Sequence, residues 1–376
     1  MKAKFEKPIE HLHEHDFFNL LLYSPLSHVP AEQPSGQDRP TCDHADVASS
    51  RLQLASVQGA ASQLNVISKT LWETQVIVIK FQTINLISTM FFEATMSAEP
   101  SVMRKIELKH GNGQSSLTVV PFGATIISWI VGGEEMIFVS KTAKMDGSKA
   151  IRGGVPICFP NFGPWEHGPQ HGFARISKDW KVLSEPKVDV NTGDVQLTME
   201  LRDSEETRKM WDKAFTLQLT MTLKAKSVDL NVDVKNDGEE DFDMTFCFHT
   251  YFTTPDLSKV EITNLKGLSY TDKTVEGQPI CKEENDLVKI NGFTDRVYAK
   301  APNQIEFRTG GKVLKLGKSG FADWVVWNPF HTAANMSDMH ENGYKEFVCV
   351  EATQTTDRIL LAKGQNWKAS HSFEVL

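Results

Sequence analysis

Apolar and polar residues alternate along much of the chain after Met96, with the period of two that marks a strand with one buried face. The alternation is clearest at residues 197–201, 217–223 and 228–234. Shorter apolar runs predict further strands at residues 104–109, 117–120, 124–131, 304–308, 312–316, 324–327, 347–351 and 359–361. Turns rich in Gly and Asn separate the strands, and one helix is predicted at residues 204–213. This pattern predicts an all-β protein arranged as an antiparallel sandwich or barrel.

The first 95 residues have a different character. Residues 24–50 are rich in Ser, Pro, His and Asp and show no sustained period, which is typical of loop or disorder. Residues 76–92 form the most apolar stretch, but polar side chains interrupt it, so we expect no membrane span there. We therefore divide the chain into a poorly structured extension, residues 1–95, and one large domain, residues 96–376. Three interpretations of the extension are open: a targeting segment, a disordered tail and a start site placed too far upstream, of which we favour the last two.

Net charge and cysteine content narrow the classes of function. The chain carries 40 Lys and Arg against 48 Asp and Glu, a formal net charge of −8, which argues against nucleic acids and anionic membranes as partners. A local basic pocket for a small anion is compatible with that total. The five cysteines are scattered and form no CxxC pattern, and two of them stand in apolar runs. We therefore expect reduced core cysteines in a reducing compartment.

Candidate chemistry begins with a block rich in Gly and Pro at residues 152–175. Glycines beside Arg152 and His171 let the backbone approach a ligand closely. If residues 171–175 are extended, His171 and Arg175 face the same way about 13 Å apart, at ~3.3 Å per residue, and can hold two ends of one ligand. The alternative interpretation is a connector whose arginines lie on the surface.

Two further blocks place an ionisable residue among apolar ones. His249 follows an aromatic run at a strand end, where it is either a hydrogen-bonded core residue or a functional one. Glu351 ends the apolar run at residues 347–351, and a buried carboxylate is costly unless it is paired or functional. Alternatively, it bonds to nearby amides at a sheet edge. Trp327 offers an aromatic wall of the kind on which sugars stack, although Trp is also a common core residue.

These blocks occur in a fixed order together with several others. In chain order they are Phe122-Gly123-Ala124-Thr125, Ser128-Trp129, residues 145–149, Arg152-Gly153-Gly154-Val155-Pro156, residues 170–175, His249-Thr250-Tyr251-Phe252, residues 323–329, and Val350-Glu351 with Gly364 and Trp367. The combination resembles the glucose-6-phosphate 1-epimerases, the hexose-phosphate branch of the galactose-mutarotase-like aldose 1-epimerases, over about residues 100–376. The resemblance implies a β-supersandwich fold and a cytoplasmic, monomeric isomerase without metal or cofactor.

The resemblance also implies a reaction and the roles of seven residues. The reaction interconverts the α and β anomers of hexose 6-phosphates. The matching residues are the catalytic pair His249 and Glu351, the phosphate ligands Arg152 and Arg175, and the sugar-lining residues Gln170, His171 and Asp295.

Ring opening explains why these residue types suit the reaction. A base removes the O1 proton while an acid protonates O5, and the ring closes again after rotation about C1–C2. Glu351 is the expected base and His249 the expected acid, since His titrates near neutrality and a protonated donor is available at pH 7. Arg152 and Arg175 suit a phosphate dianion because guanidinium groups make bidentate contacts.

Two alternatives are open at this point: an aldose 1-epimerase that acts on free hexoses, and a carbohydrate-binding β-sandwich without catalysis. A neutral sugar gives Arg152 and Arg175 no dianion to bind, and binding alone does not need both His249 and Glu351. The chain departs from the family pattern at Ala352-Thr353-Gln354, where relatives have a Pro-Gly turn after the catalytic Glu. We therefore expect an altered loop after Glu351.

Overall fold

The computed structural model describes residues 101–376, and the predicted extension at residues 1–95 lies outside the described residues. Twenty strands occur in the described part of the chain: β1 (Ile106–Lys109), β2 (Ser115–Val120), β3 (Thr125–Val131), β4 (Glu134–Glu135), β5 (Ile157–Cys158), β6 (Lys181–Val188), β7 (Val195–Arg202), β8 (Phe215–Leu223), β9 (Ser227–Asn236), β10 (Phe242–Phe248), β11 (Tyr251–Thr253), β12 (Glu261–Ile262), β13 (Ser269–Asp272), β14 (Ile280–Lys282), β15 (Thr294–Tyr298), β16 (Gln304–Thr309), β17 (Lys312–Ser319), β18 (Asp323–Asn328), β19 (Phe347–Leu361) and β20 (Asn366–Val375). Short 3₁₀ turns accompany them at Ser101–Met103, Phe122–Ala124, Ala174–Ile176, Leu257–Lys259, Phe330–Asn335 and Gly343–Glu346. The predicted all-β class is confirmed.

The strands form three antiparallel sheets. The small sheet has the order β1-β2-β3-β4. The site sheet has the order β14-β13-β15-β18-β19-β10-β5, and β11 also pairs with β19. The back sheet has the order β12-β16-β17-β20-β9-β8-β7-β6. Antiparallel sheets commonly bury one face and leave the other free, and the site sheet uses its second face for the cavity described below.

Strand alternation decides which side chains of the site sheet enter the core. On β10, Phe246 and Phe248 point toward the back sheet, where their rings contact Trp367 and His371 respectively. Cys247 lies between these two phenylalanines, so its side chain points to the opposite face. One strand thus contributes to the core with one set of residues and to the cavity with the other.

The back sheet follows the pattern expected from the sequence. Along β8 the buried positions fall at Leu217, Leu219, Met221 and Leu223, and the residues between them are partly exposed. On β9, Val228, Leu230, Val232 and Val234 are buried in the same way. These side chains belong to one continuous apolar core, which also includes residues of the site sheet and the small sheet.

The predicted helix is present but shorter than expected. It is α1 (Glu205–Met210), and a capping box between Ser204 and Thr207 fixes its start. The helix ends before residue 213 because the backbone of Trp211 is extended. The Trp211 ring packs on Phe242, with ring centroids 4.8 Å apart. Residues 101–376 contain no helix long and apolar enough to cross a membrane.

Strand β19 differs from its prediction. The sequence indicated separate strands at residues 347–351 and 359–361, with an altered loop after Glu351, but the structure has one strand, Phe347–Leu361. The extra residues form a bulge, because the register with β10 shifts between Met244 and Phe246. The buried Asp323 carboxylate accepts hydrogen bonds from the backbone N–H groups of Thr355 and Thr356 within this bulge. Glu351 therefore stands inside a continuous strand rather than beside a loop.

Candidate active site

One cavity of about 200 Å³ in the described part of the chain brings together all seven residues proposed from the sequence. Its lining consists of Arg152, Phe162, Gly163, Pro164, Gln170, His171, Arg175, His249, Lys273, Asp295, Val325, Trp327, Met336 and Glu351. Loops around β5 supply the arginines, while His249 follows β10 and Glu351 lies within β19. This volume lies below the roughly 300–1,000 Å³ of drug-sized ligand sites, which favours a ligand of one sugar unit.

The register of the site sheet explains why the cavity residues meet. Glu351 on β19 lies opposite Val325 on β18. One pair further along, Trp327 on β18 lies opposite Asp295 on β15. Opposite residues in antiparallel strands project from the same face, so these four side chains share the cavity side of the sheet. Trp324 projects the other way and is fully buried, with its indole N–H bonded to the Pro302 carbonyl.

The centre of the cavity is a close contact between His249 and Glu351. His249 Nδ1 lies 3.1 Å from Glu351 Oε1, and the two residues are 7% and 1% exposed. The ring of Tyr251 stacks on the imidazole with centroids 4.8 Å apart, and Trp327 meets it edge-on at 5.6 Å. These aromatic walls fix the imidazole plane. Acid and base groups this close can serve two oxygens bonded to the same carbon.

Burial changes which member of the His249–Glu351 pair is expected to carry the proton. Burial lowers the pKa of His249 well below its usual value, and the positive charges of His171, Arg175 and Arg152 lower it further. Burial also raises the pKa of Glu351 well above its usual value, because the carboxylate form loses its hydration. Burial therefore favours a neutral His249 and a protonated Glu351, whereas the sequence suggested a protonated His249.

The two arginines are held in different ways. Arg152 Nε donates to Asp338 Oδ1 at 3.1 Å, and Arg152 Nη1 donates to the Tyr251 hydroxyl at 3.4 Å. The neighbouring Lys149 Nζ lies 2.8 Å from the other oxygen of Asp338. Arg175 Nη2 donates to the backbone carbonyl of Gln170 at 2.7 Å, and its buried Nε has no hydrogen-bond partner within residues 101–376.

The segment that carries His171 and Arg175 is not extended. His171 has a left-handed backbone, with a φ of 66°, and Ala174–Ile176 is a 3₁₀ turn. Gly172 follows, also with positive φ, and a Cβ there would lie 2.1 Å from the Phe159 carbonyl oxygen, so only Gly fits. The spacing of about 13 Å expected for an extended segment therefore does not apply. Both side chains still line the cavity, because the tight turn folds them toward it.

One charged residue of the cavity, Lys273, was missed as a site residue in the sequence. Lys273 follows β13, and its ammonium group lies 5.0 Å above the ring centroid of Phe162. The backbone N–H of Lys273 donates to the Asp295 carbonyl at 2.8 Å, which ties it to the cavity wall. Burial raises the pKa of Asp295, while the charge of Lys273 acts in the opposite direction. Lys273 stands in a turn without any local motif, so only the fold reveals it.

One group of donor atoms in residues 101–376 is close enough to suggest a metal ion. Donor atoms of His249, Cys349 and Glu351 lie within 4.8 Å of one another, and all three residues are buried. The same cavity contains Arg152, Arg175 and Lys273, whose charges repel a divalent cation. The charge of the cavity therefore suits an anion better than a metal ion.

Known proteins share both the sequence and the fold of this chain. Residues 104–374 match the aldose 1-epimerase family. A protein of Cenchrus ciliaris named "Putative glucose-6-phosphate 1-epimerase" is 32% identical over 286 residues, which cover 73% of this chain and 85% of the relative. A protein of the same name from Escherichia coli K12 is 35% identical over 263 residues, covering 67% of this chain and 84% of the relative.

A solved structure agrees with these matches. The crystal structure of a "putative mutarotase" from Salmonella typhimurium superposes with a TM-score of 0.65 at 29% identity, covering 72% of this chain and 89% of the other. The predicted galactose-mutarotase-like fold is therefore confirmed. This chain belongs to the aldose 1-epimerase family and is an enzyme that interconverts the anomers of a sugar.

Proposed function

We propose that this enzyme interconverts the α and β anomers of a hexose 6-phosphate, with glucose 6-phosphate as its expected substrate. The observation that carries this proposal is one small cavity that holds the His249–Glu351 pair together with Arg152 and Arg175. The names of the relatives from Cenchrus ciliaris and Escherichia coli point to the same substrate. We further propose a cytoplasmic monomer that needs no metal or cofactor. The cytoplasm is in keeping with Cys158, Cys247 and Cys349, which are buried and form no disulfide within residues 101–376.

The charges in the cavity support one orientation of the sugar. Arg152 Nη1 donates to the hydroxyl of Tyr251, and the ring of Tyr251 stacks on His249, so this arginine lies on the His249 side of the cavity. In a hexose 6-phosphate the phosphate is carried on C6, next to the C5 atom that bears the ring oxygen O5. A phosphate bound by the arginines therefore brings O5 toward His249 and leaves O1 for Glu351.

In this orientation the reaction needs only proton transfers. Glu351 takes the proton from O1, the C1–O5 bond breaks with its electrons moving to O5, and His249 protonates O5. The resulting aldehyde rotates about C1–C2 and presents its other face to the O5 hydroxyl. Ring closure returns the O5 proton to His249 and the Glu351 proton to O1, so the enzyme is restored. Each positioned acid or base contributes about 10²–10⁴-fold in rate.

The phosphate also helps to set the protonation state that this sequence of steps requires. The positive charges of the arginines near His249 disfavour a positive charge on its ring. A phosphate dianion bound between them offsets their charge and favours the imidazolium form of His249. The proton of the pair then passes from Glu351 to His249 over the 3.1 Å contact. Substrate binding thereby produces the acid and the base together.

Exchange NMR of the anomeric protons tests this proposal. The enzyme is compared on glucose 6-phosphate, glucose and galactose, with the spontaneous rates subtracted. We expect the value of kcat/KM for the phosphorylated sugar to exceed that for either free sugar by at least about tenfold, since charge-assisted bonds to the phosphate contribute about 1.5–3 kcal/mol. Equal values for glucose and glucose 6-phosphate would contradict the assignment of a phosphorylated substrate.

A further inference from the structure

We propose that Cys247 is a positioning residue for Glu351, whose thiol holds the carboxyl group and sets how readily it gives up and takes back a proton. The sequence suggested a reduced core cysteine, and Cys247 is indeed fully buried. Its side chain, however, points to the cavity face of the site sheet. Cys247 Sγ donates to Glu351 Oε2 at 2.9 Å. This inference extends the proposed function, because it assigns a residue that acts through the base of the reaction.

The strand register makes this contact specific. Cys247 on β10 pairs with Thr353 on β19, and Glu351 lies two residues before Thr353 on the same face. The thiol and the carboxyl group are thus diagonal neighbours across two hydrogen-bonded strands. A residue on β10 one position earlier or later, Phe246 or Phe248, packs into the core instead. Within β10, therefore, Cys247 is the position from which a side chain reaches Glu351.

The two oxygens of Glu351 have different neighbours. Oε1 faces His249 Nδ1 at 3.1 Å, and Oε2 accepts from the Cys247 thiol. Within residues 101–376, this thiol makes the hydrogen bond that anchors the carboxyl group. A thiol is a weak donor compared with a hydroxyl or an amide. The thiol therefore fixes the direction of the carboxyl group. Because it stabilises the carboxylate anion only moderately, Glu351 remains a strong base.

The thiol itself is held in place. Cys158 on β5 lies directly opposite Cys247 on β10, and both residues are fully buried. The backbone around this pair is fixed, since the N–H groups of Thr245 and His249 donate to the carbonyls of Pro160 and Pro156. Rotation of the Cys247 side chain away from Glu351 is therefore restricted by close packing.

The other titratable groups near Glu351 are retained when Cys247 is replaced, and among them Cys158 is the one that also contacts the Cys247 side chain. Burial raises the pKa of Glu351, and the hydrogen bond from Cys247 is the largest influence in the opposite direction. Besides Cys247, the titratable groups that face Glu351 or act on its charge are His249, Tyr251, Cys158, Cys349, Asp295 and Lys273. Variants at Cys247 keep all of these, so a difference between the variants reports the thiol bond.

Two substitutions should shift the pH profile in opposite directions. Cys247→Ala removes the donor to the carboxylate, so the basic limb of kcat/KM for glucose 6-phosphate, where Glu351 loses the proton of the pair, should move up by about one pH unit. Cys247→Ser supplies a stronger donor, so the limb should move down. Ionisation of the substrate is common to all variants and cancels in the comparison. Cys349→Ala is the matched control, because Cys349 is equally buried on the same face but makes no hydrogen bond to Glu351 in the described structure.

A titration that does not use activity separates this inference from the proposed function. The carboxyl carbon of Glu351, assigned by its loss in Glu351→Gln, is followed by ¹³C NMR against pH in the same variants. Opposite shifts of its titration midpoint in the Ala and Ser variants support the role of Cys247. An unchanged midpoint, or shifts in the same direction, would overturn it. If Cys247→Ala fails to fold, the direction of the Ser shift decides. Absence of glucose 6-phosphate exchange in the unmodified enzyme would refute the proposed function and leave this titration valid.

Discussion

Two buried histidines show what distinguishes a reactive group from a structural one in this fold. His249 lies at the end of β10 and His371 lies in β20, and both are nearly or fully excluded from water. His371 Nδ1 donates to the Gly317 carbonyl at 2.8 Å, and the ring stacks against Phe248 in the core. His249 has a carboxyl partner, Glu351, and one side open to the cavity.

The comparison shows that burial alone does not make a histidine functional. Burial lowers the pKa of both residues, for His371 to about 4. In the described structure His371 is surrounded by aromatic side chains and has no charged partner among them. Its neutral form is therefore the stable one. His249 faces the Glu351 carboxyl group and lies under the influence of the positive charges of Arg152 and Arg175, so a bound anion can change its charge. A carboxyl partner and access to a ligand are what separate the two sites.

The largest expected effect concerns the partner of His249. Glu351→Gln keeps the size and the acceptor of the side chain but removes the base, so kcat for glucose 6-phosphate should fall by about 10²–10⁴-fold. Exchange NMR of the anomeric protons measures this value, and thermal unfolding serves as a check that the fold is retained. Retention of more than about a tenth of the activity would show that the close contact with His249 is not the catalytic pair.

The next largest expected effect concerns the pH dependence of the stability that His371 contributes. Its folded-state pKa of about 4 lies below the usual 6.5, so its stabilising contribution is complete above pH 6.5 and is lost as the pH falls toward 4. The advantage in unfolding free energy of the unmodified protein over His371→Asn should therefore shrink by about 2 kcal/mol between pH 7.5 and pH 5. Urea unfolding at the two pH values measures it. A constant difference would contradict a neutral buried imidazole.

A smaller effect concerns Arg175, one of the positive charges that distinguish the surroundings of His249 from those of His371. Arg175→Met removes one phosphate donor and one positive charge near His249, so kcat/KM for glucose 6-phosphate should fall about tenfold. The value for free glucose should change less than about twofold. Arg202→Met is the matched control, because Arg202 is an exposed arginine of β7 that pairs with Glu200 outside the cavity. Equal losses on both sugars would argue against a phosphate role for Arg175.

Much of the fold follows from local patterns in the sequence. Period-two alternation predicted β7, β8 and β9 because one face of each of these strands is buried in a large core. It did not predict β13 or β14, whose positions are exposed or partly buried, or β15, whose buried positions do not alternate. It also divided β19 in two, because the bulge held by Asp323 hides the continuity of the strand.

The site was predictable only in part, for a related reason. His249 and Glu351 stand out because each is an ionisable residue in an apolar run, and that local contrast is visible in the sequence. Lys273 and Cys247 carry no such contrast, since one is a charged residue in a turn and the other an apolar-seeming residue in a strand. Their importance arises from pairings across strands, and the sequence alone does not specify those pairings.

The most direct test of the account is a parallel measurement on the two histidines. Exchange NMR with glucose 6-phosphate is run on His249→Asn and His371→Asn at pH 7.5, each corrected for its folded fraction. We expect His249→Asn to lose about 10²–10⁴-fold in kcat and His371→Asn to retain a rate within about threefold of the unmodified enzyme. Comparable losses in both variants, or full activity in His249→Asn, would contradict the assignment of His249 as the acid of the reaction.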